Sequence, residues 1–237
     1  MGLTEQIRDW GSALLDVIYP RCCEVCGKPL VRGESDICLQ CLGELPRCRF
    51  HNDSFNPIHQ RLAGHVRISR AAGYFYYYRD NRFTKPIIAA KYNNRPGVVR
   101  TLSRYFAAEL AADGFFDGID RIVPVPMHRM KKLKRGYNQT DYIAAGLRDV
   151  TGIEIGHNLV ATRAHDTQTR RGAFERWINS LEIYECRQPE ELDGRHVLIV
   201  DDVITSGATM LACCEAIHKA APTAEISVLG LGVTALQ

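Results

Sequence analysis

The chain has 237 residues, 46% hydrophobic and 24% charged, enough for one good-sized core or for one core plus a small module. A formal net charge of +3 excludes a polycation, so nucleic acid could be met only by a local basic patch. No apolar run approaches the roughly 18–20 residues of a membrane span, and the stretch with Glu5, Arg8 and Asp9 lacks the layout of an export signal, so a cytoplasmic location is expected.

Leu3 to Tyr19 reads as an amphipathic helix. Thr4 is its N-cap, Ile7, Trp10, Leu14, Val17 and Ile18 share one face, and Pro20 stops it. Six of the nine cysteines then fall between Cys22 and Cys48. Cys23, Cys26, Cys38 and Cys41 form two CxxC knuckles separated by eleven residues, a spacing suited to closing four thiolates around a structural Zn²⁺. The segment has too few large apolar residues to fold by burial, so metal binding would supply that energy. Cys22 is an alternative ligand to Cys23 with poorer spacing. Cys48 is a bystander, and Cys186, Cys213 and Cys214 read as small core residues.

Beyond about His65 the pattern changes. Ala71 to Tyr78 is strand-like. Thr84 to Lys91 is helical, with Pro86 in its first turn. Arg95-Pro96-Gly97 breaks the chain before a long helix over Val98 to Ala112. Arg121 to Val125 is a short strand, Thr140 to Val150 a helix, and Leu159-Val160 the end of another strand. His196 to Val200 is a buried-type strand, Ala208 to Ala221 a helix, and Glu225 to Val233 a further strand. Strands alternating with helices imply an α/β fold with a mostly parallel sheet flanked by helices. The expected division is an N-terminal helix and zinc ribbon over 1–50 and the α/β domain over 51–237.

Two segments carry chemistry. The first is the strand ending in Asp201-Asp202, followed by Val203-Ile204 and then Thr205-Ser206-Gly207-Ala208-Thr209 at the start of a helix. A helix N-terminus offers unpaired amides to a phosphate. Gly207 permits close approach of the backbone, and the hydroxyls of Thr205, Ser206 and Thr209 add donors without bulk. Two carboxylates at the carboxyl edge of the sheet can accept from vicinal ribose hydroxyls. The pattern is neither a P-loop nor G-x-G-x-x-G. The second is Pro124-Val125-Pro126-Met127-His128-Arg129, followed by Lys131, Lys132, Lys134 and Arg135. Seven Lys/Arg against the single acid Asp141, between Arg121 and Arg148, mark an anion site.

The acidic pair followed by T-S-G-A-T resembles the signature of type I phosphoribosyltransferases. Preceded by a four-cysteine ribbon, it resembles the ComF family (ComF/ComFC/GntX) of bacterial competence-associated proteins. Lys91-Tyr92-Asn93-Asn94-Arg95, Pro124 to His128, Arg135-Gly136-Tyr137-Asn138-Gln139, and Thr167-Gln168-Thr169 with Arg171 and Asn179 are similar to further family segments. The resemblance implies binding of phosphoribosyl pyrophosphate with Mg²⁺. Asp201 and Asp202 would hold the ribose 2- and 3-hydroxyls, the 205–209 turn the 5-phosphate and Pro126 to Arg129 the pyrophosphate, with Lys91 and Arg135 among the other substrate-binding residues. It implies a mobile loop over Arg163 to Asn179, with Arg170, Arg171 and Arg176 facing the ligand. It also implies partnership with DNA-uptake proteins during natural transformation. Thr205 stands where oxopurine enzymes of the type I class carry an acidic base, so that reaction is not supported, and no catalytic residue declares itself.

Three functions follow as expectations. The first is a phosphoribosyl pyrophosphate-binding protein of DNA uptake, with or without transferase activity. The second is a salvage transferase for a small base or amine. The third is a single-stranded DNA-binding module with a metabolite-sensing fold, using the 129–135 patch and Tyr137 as a stacking platform. The oligomeric state is not legible in the sequence.

Overall fold

The computed structural model describes residues 20–78, 81–162 and 183–235. The expected helix at Leu3–Tyr19 and the loop at Arg163–Asn179, with its three arginines, lie outside the described residues.

In chain order, the ribbon holds a short helix α1 (Leu39–Gly43), and α2 (Pro57–Leu62) follows it. Then come β1 (Ala71–Tyr76), α3 (Lys85–Tyr92), α4 (Gly97–Ala112), β2 (Arg121–Pro124), α5 (Arg129–Arg135), α6 (Gln139–Thr151) and β3 (Glu154–Ile155). A hairpin of β4 (Leu159–Ala161) and β5 (Tyr184–Cys186) precedes β6 (His196–Ile204), α7 (Ala208–Ala220) and β7 (Glu225–Val233).

The central sheet has five strands in the order β1-β7-β6-β2-β3, and every pairing is parallel. The expected mostly parallel α/β sheet is therefore present, and Leu159-Val160 falls in the separate antiparallel hairpin. The strands read as continuous apolar runs because both faces are covered. On β6, Leu198 and Val200 face a layer containing Ile87, Leu102, Phe106 and Ile143 from α3, α4 and α6. Val197 and Ile199 face Ile58 and Leu62 of α2 and Met210, Cys213 and Ile217 of α7. Gly146 lets α6 press onto α4, since a Cβ there would stand 2.4 Å from the Arg100 carbonyl oxygen.

The ribbon joins the first of these layers. Val25, Ile37 and Leu45 share one buried cluster with the helices. Lys85 of α3 donates to the Val25 carbonyl at 3.3 Å, Thr101 of α4 donates to Asp36 at 2.6 Å, and Arg95 pairs with Glu24. Arg47 forks onto Glu109 of α4 at 2.9–3.1 Å, and the Tyr74 hydroxyl donates to the same carboxylate at 3.0 Å.

Two boundaries differ from the sequence reading. β6 continues four residues past Val200, to Ile204, so both acids lie within the strand. Asp201, Val203 and Ile204 keep their register with β7, while β2 stops at Pro124 opposite Val200. The acids thus project past the shorter neighbour. The second difference is α5, a helix where the residues showed only a basic stretch. It has no buried residue, so no apolar periodicity announced it.

Candidate ligand cleft and metal cluster

The chain runs from β2 outward to β3 in one direction, and β6 and β7 fill in on the other side. Strand order reverses between β2 and β6, and in open α/β sheets ligands bind outside the carboxyl ends of strands at such a point. A cleft of about 390 Å³ lies there. It is lined by the segment after β2 (Val125 to His128), the acids Asp201 and Asp202, Thr205 and Thr209 of the turn, and Lys91 and Arg135. Of the site residues expected from sequence, Arg129 instead lines a neighbouring groove, together with Lys132 and Leu133. Ser206, Gly207 and Ala208 form the backbone of the turn between lining residues.

The sequence Arg135-Gly136-Tyr137-Asn138-Gln139-Thr140 builds one wall, each residue with its own task. Gly136 ends α5 in the left-handed conformation, φ +86°, and its amide donates to the Lys132 carbonyl at 2.7 Å. The Tyr137 hydroxyl donates to the Ala90 carbonyl at 2.6 Å, tying α6 to α3. Asn138 and Thr140 both donate to the Val125 carbonyl, at 3.0 and 2.7 Å, and so fix the turn that leaves β2. Gln139 accepts from Arg135 and donates to Asp202.

The two acids are unequal. Asp202 is only 5% exposed and is neutralised by Lys91, whose ammonium lies 3.0 and 2.9 Å from its two oxygens. Burial works against the Lys91 charge, but Asp202 outweighs it and raises the Lys91 pKa. Asp201 accepts the Asp202 amide at 2.8 Å. Burial, and then the neighbouring Asp202 charge, push its carboxyl up to about 7. One acid is thus already paired in the free protein, and the other holds unspent accepting capacity.

The turn itself stays accessible. Thr205 and Ser206 are exposed, and α7 begins at Ala208 without a side-chain N-cap bond. Ser206 accepts the Ala208 amide at 3.4 Å. Gly207 sits at φ +84°, and a Cβ there would meet the Arg61 Cβ at 3.3 Å and Leu62 at 3.4 Å. The positive φ calls for glycine, and the close Arg61 leaves little room for a side chain. At the other end of the cleft, His128 caps α5 by accepting the Met130 amide on Nδ1 at 3.3 Å.

Sequence reasoning missed Ala161, Ile183 and Tyr184, which reach the cleft from the hairpin. No local pattern marks them, because the topology brings them there. Burial, followed by the Cys213 thiol and the Asp201 carboxylate, raises the Tyr184 pKa and keeps its phenol protonated.

The four cysteines of the two knuckles come together far from this cleft in sequence. Their Sγ atoms all lie within 4.8 Å of one another. The Cys26–Cys38 separation is 3.8 Å, which matches the edge of a tetrahedron with metal–sulfur bonds of about 2.3 Å. The amides of Cys38 and Cys41 donate to the sulfurs of Cys23 and Cys38, both at 3.4 Å, an orientation that favours thiolates. Burial opposes ionisation of Cys23, but amide donors led by Cys38 outweigh it and bring the thiol to about 7. Four soft donors at this spacing fit a structural Zn²⁺. Cys22 points away, its thiol donating to the Pro20 carbonyl at 3.4 Å. Cys48, Cys213 and Cys214 are buried in the layer that contains α7.

Residues 144–233, which include the acids and the turn, match the family model described as the phosphoribosyl transferase domain. The chain is 32% identical to DNA utilization protein YhgH of Escherichia coli over 124 residues, 51% of this chain and 54% of that protein. It is 33% identical to competence protein F of Haemophilus influenzae over 147 residues, 60% of this chain and 63% of that one. The chain thus spans somewhat over half the length of the curated relatives it matches. Among solved structures, adenine phosphoribosyltransferase from Leishmania tarentolae aligns with a TM-score of 0.38 at 11% identity, covering 76% of this chain and 89% of that one. No described helix is long and apolar enough to cross a membrane.

Proposed function

We propose that this chain, a homologue of the ComF and YhgH competence proteins with a phosphoribosyl transferase domain across residues 144–233, binds phosphoribosyl pyrophosphate with Mg²⁺ in the cleft between β2 and β6. One observation carries the reading. An acidic pair and an uncapped helix start share one open cleft, which Lys91, Lys131 and Arg135 also line. The amides of the 205–209 turn would receive the 5-phosphate. Asp201 would accept from the ribose hydroxyls, with Asp202 held in register by Lys91 and Gln139. The Pro126–His128 segment, with Arg135, would face the pyrophosphate. Mg²⁺, when bound, would offset the charge of that group. The double variant Asp201→Ala with Asp202→Ala is expected to abolish ligand heat in calorimetry, and retained affinity in a folded variant would reject the assignment.

The relatives are named for DNA utilization and for competence. On that footing the chain is assigned to DNA uptake, in the cytoplasm and with protein partners of that process. Whether a transfer reaction follows binding depends on an acceptor. Pyrophosphate release against a panel of small bases and amines separates a transferase from a binding protein. The four cysteines are assigned to a structural Zn²⁺, within a division into a 1–50 module and a 51–237 body.

A second reading has its own support. Helix α5 exposes Met130 and Leu133 beside Arg129, Lys131, Lys132 and Lys134 and buries nothing. Such a mix of apolar and cationic groups suits single-stranded DNA. Binding that is insensitive to salt would remove this reading.

A further inference from the structure

Arg61 lies outside every motif of the sequence and outside the stretch matched by the family model. Its side chain lies against the back of the phosphate turn. The position a Cβ would take on Gly207 is 3.3 Å from the Arg61 Cβ and 3.9 Å from its Cδ. At its far end, Nη2 donates to the Thr234 carbonyl, and the Thr234 hydroxyl, 3.5 Å from the same nitrogen, donates to the Thr205 carbonyl at 3.3 Å. The Thr234 amide also bonds the Ile204 carbonyl at 3.1 Å. The Gly207 end of the turn thus packs near this side chain, and the Thr205 end is tied to it through Thr234.

The charge is the unusual part. Nη1 is buried and has no hydrogen-bond partner among the described residues. Among the described residues Arg61 forms no ion pair with a carboxylate, and burial pulls its pKa down, opposed only by the Cys48 thiol. Arg61 as a whole is only part-buried, but a guanidinium nitrogen shut away from water is ordinarily paired, because an uncompensated charge is costly there. This charge, with no carboxylate partner among the described residues, lies beside the turn that opens α7, a helix start without a side-chain N-cap bond. Arg61 does not itself line the cleft, where the cation Lys91 is already spent on Asp202.

We infer that Arg61 is a positioning residue for the phosphate turn, and that the 5-phosphate of the bound ligand is the counter-charge to its guanidinium. The inference rests on the reading of the cleft given above. It predicts a selective effect. Arg61 should matter for the phosphate end of the ligand and not for the pyrophosphate end.

The test is calorimetry of the full chain with two probes, ribose 5-phosphate and magnesium pyrophosphate. For Arg61→Met the affinity for ribose 5-phosphate should fall roughly tenfold, as expected for a full charge removed at close range in a partly dry site. Affinity for magnesium pyrophosphate should not change. Arg61→Lys, which keeps the charge, should recover part of the loss. If Arg61→Met fails to fold by circular dichroism, Arg61→Gln serves as the neutral variant. An unchanged ribose 5-phosphate affinity, or an equal loss for both probes, would overturn the inference and leave Arg61 a purely structural strut. A wild-type chain that binds neither probe would instead overturn the reading of the cleft itself.

Discussion

Asp201 and Asp202 are neighbours in sequence that answer to different surroundings, because successive strand residues face opposite ways. Asp202 meets Lys91 and Gln139, whereas Asp201 meets burial and its neighbour's charge, which hold its carboxyl near 7. A folded-state pKa raised above the unfolded value near 3.9 means that the native state binds the proton more tightly. That contribution to stability is complete below about pH 4 and is lost as pH rises through about 7. Between about pH 4 and 7 the wild type should therefore lose stability relative to Asp201→Asn in urea unfolding; parallel pH profiles would refute the shift. Removing Lys91 has the opposite logic. Lys91→Met strands a buried carboxylate, which costs about 3–5 kcal/mol where no rearrangement relieves it. A loss under about 1 kcal/mol would mean that the pair is screened by water. The residue types at 201, 202 and 205–209 suggest a phosphate and sugar site from sequence alone, and the structure brings Asp201, Asp202, Thr205 and Thr209 to one cleft. The inequality of the acids was not, since it depends on Lys91 arriving from 111 residues away. Arg61 left no trace in the sequence either, because its significance lies in where the fold seats it, behind a turn that follows much later in the chain.

At the level of elements, legibility followed burial. α4, α6, β6 and β7 each carry an apolar pattern imposed by the layers they pack into, and each was found within a residue or two, apart from the end of β6. That end was misjudged because two carboxylates look like the close of a strand. They remain in register because β7 continues beside them. α5 was invisible for the complementary reason, having no buried side chain to set a period. The same fact makes it a clean target. Changing Lys131, Lys132 and Lys134 together to Ala should leave the melting temperature within a few degrees of wild type, since exposed substitutions typically cost about 0.5 kcal/mol or less. If α5 binds single-stranded DNA, the slope of log affinity against log salt should flatten by about 2, at roughly 0.7 for each phosphate no longer neutralised. An unchanged slope would show that α5 does not meet DNA.

At the scale of the whole molecule, the cysteine ribbon and the ligand cleft are linked through one helix. α3 is gripped on one side by the ribbon, through Lys85 on the Val25 carbonyl. On the other side it presents Lys91 to Asp202 and receives the Tyr137 hydroxyl on the Ala90 carbonyl. Val25, Ile37 and Leu45 lie in the same buried cluster as Ile87, Val98 and Val99, so the ribbon has no core of its own to melt separately. A metal held by these four thiols, three of them buried, would then contribute to the stability of that shared layer. Stripping it with a chelator, or changing Cys41 to Ser, should lower the melting temperature of the whole chain in a single calorimetric transition. It should also weaken ligand binding at the cleft, because the seat of α3 loosens and Lys91 no longer holds Asp202 in register. Two resolved transitions, with that of the α/β body unmoved and affinity intact, would show that the ribbon is an appendage and that α3 is anchored by the sheet alone.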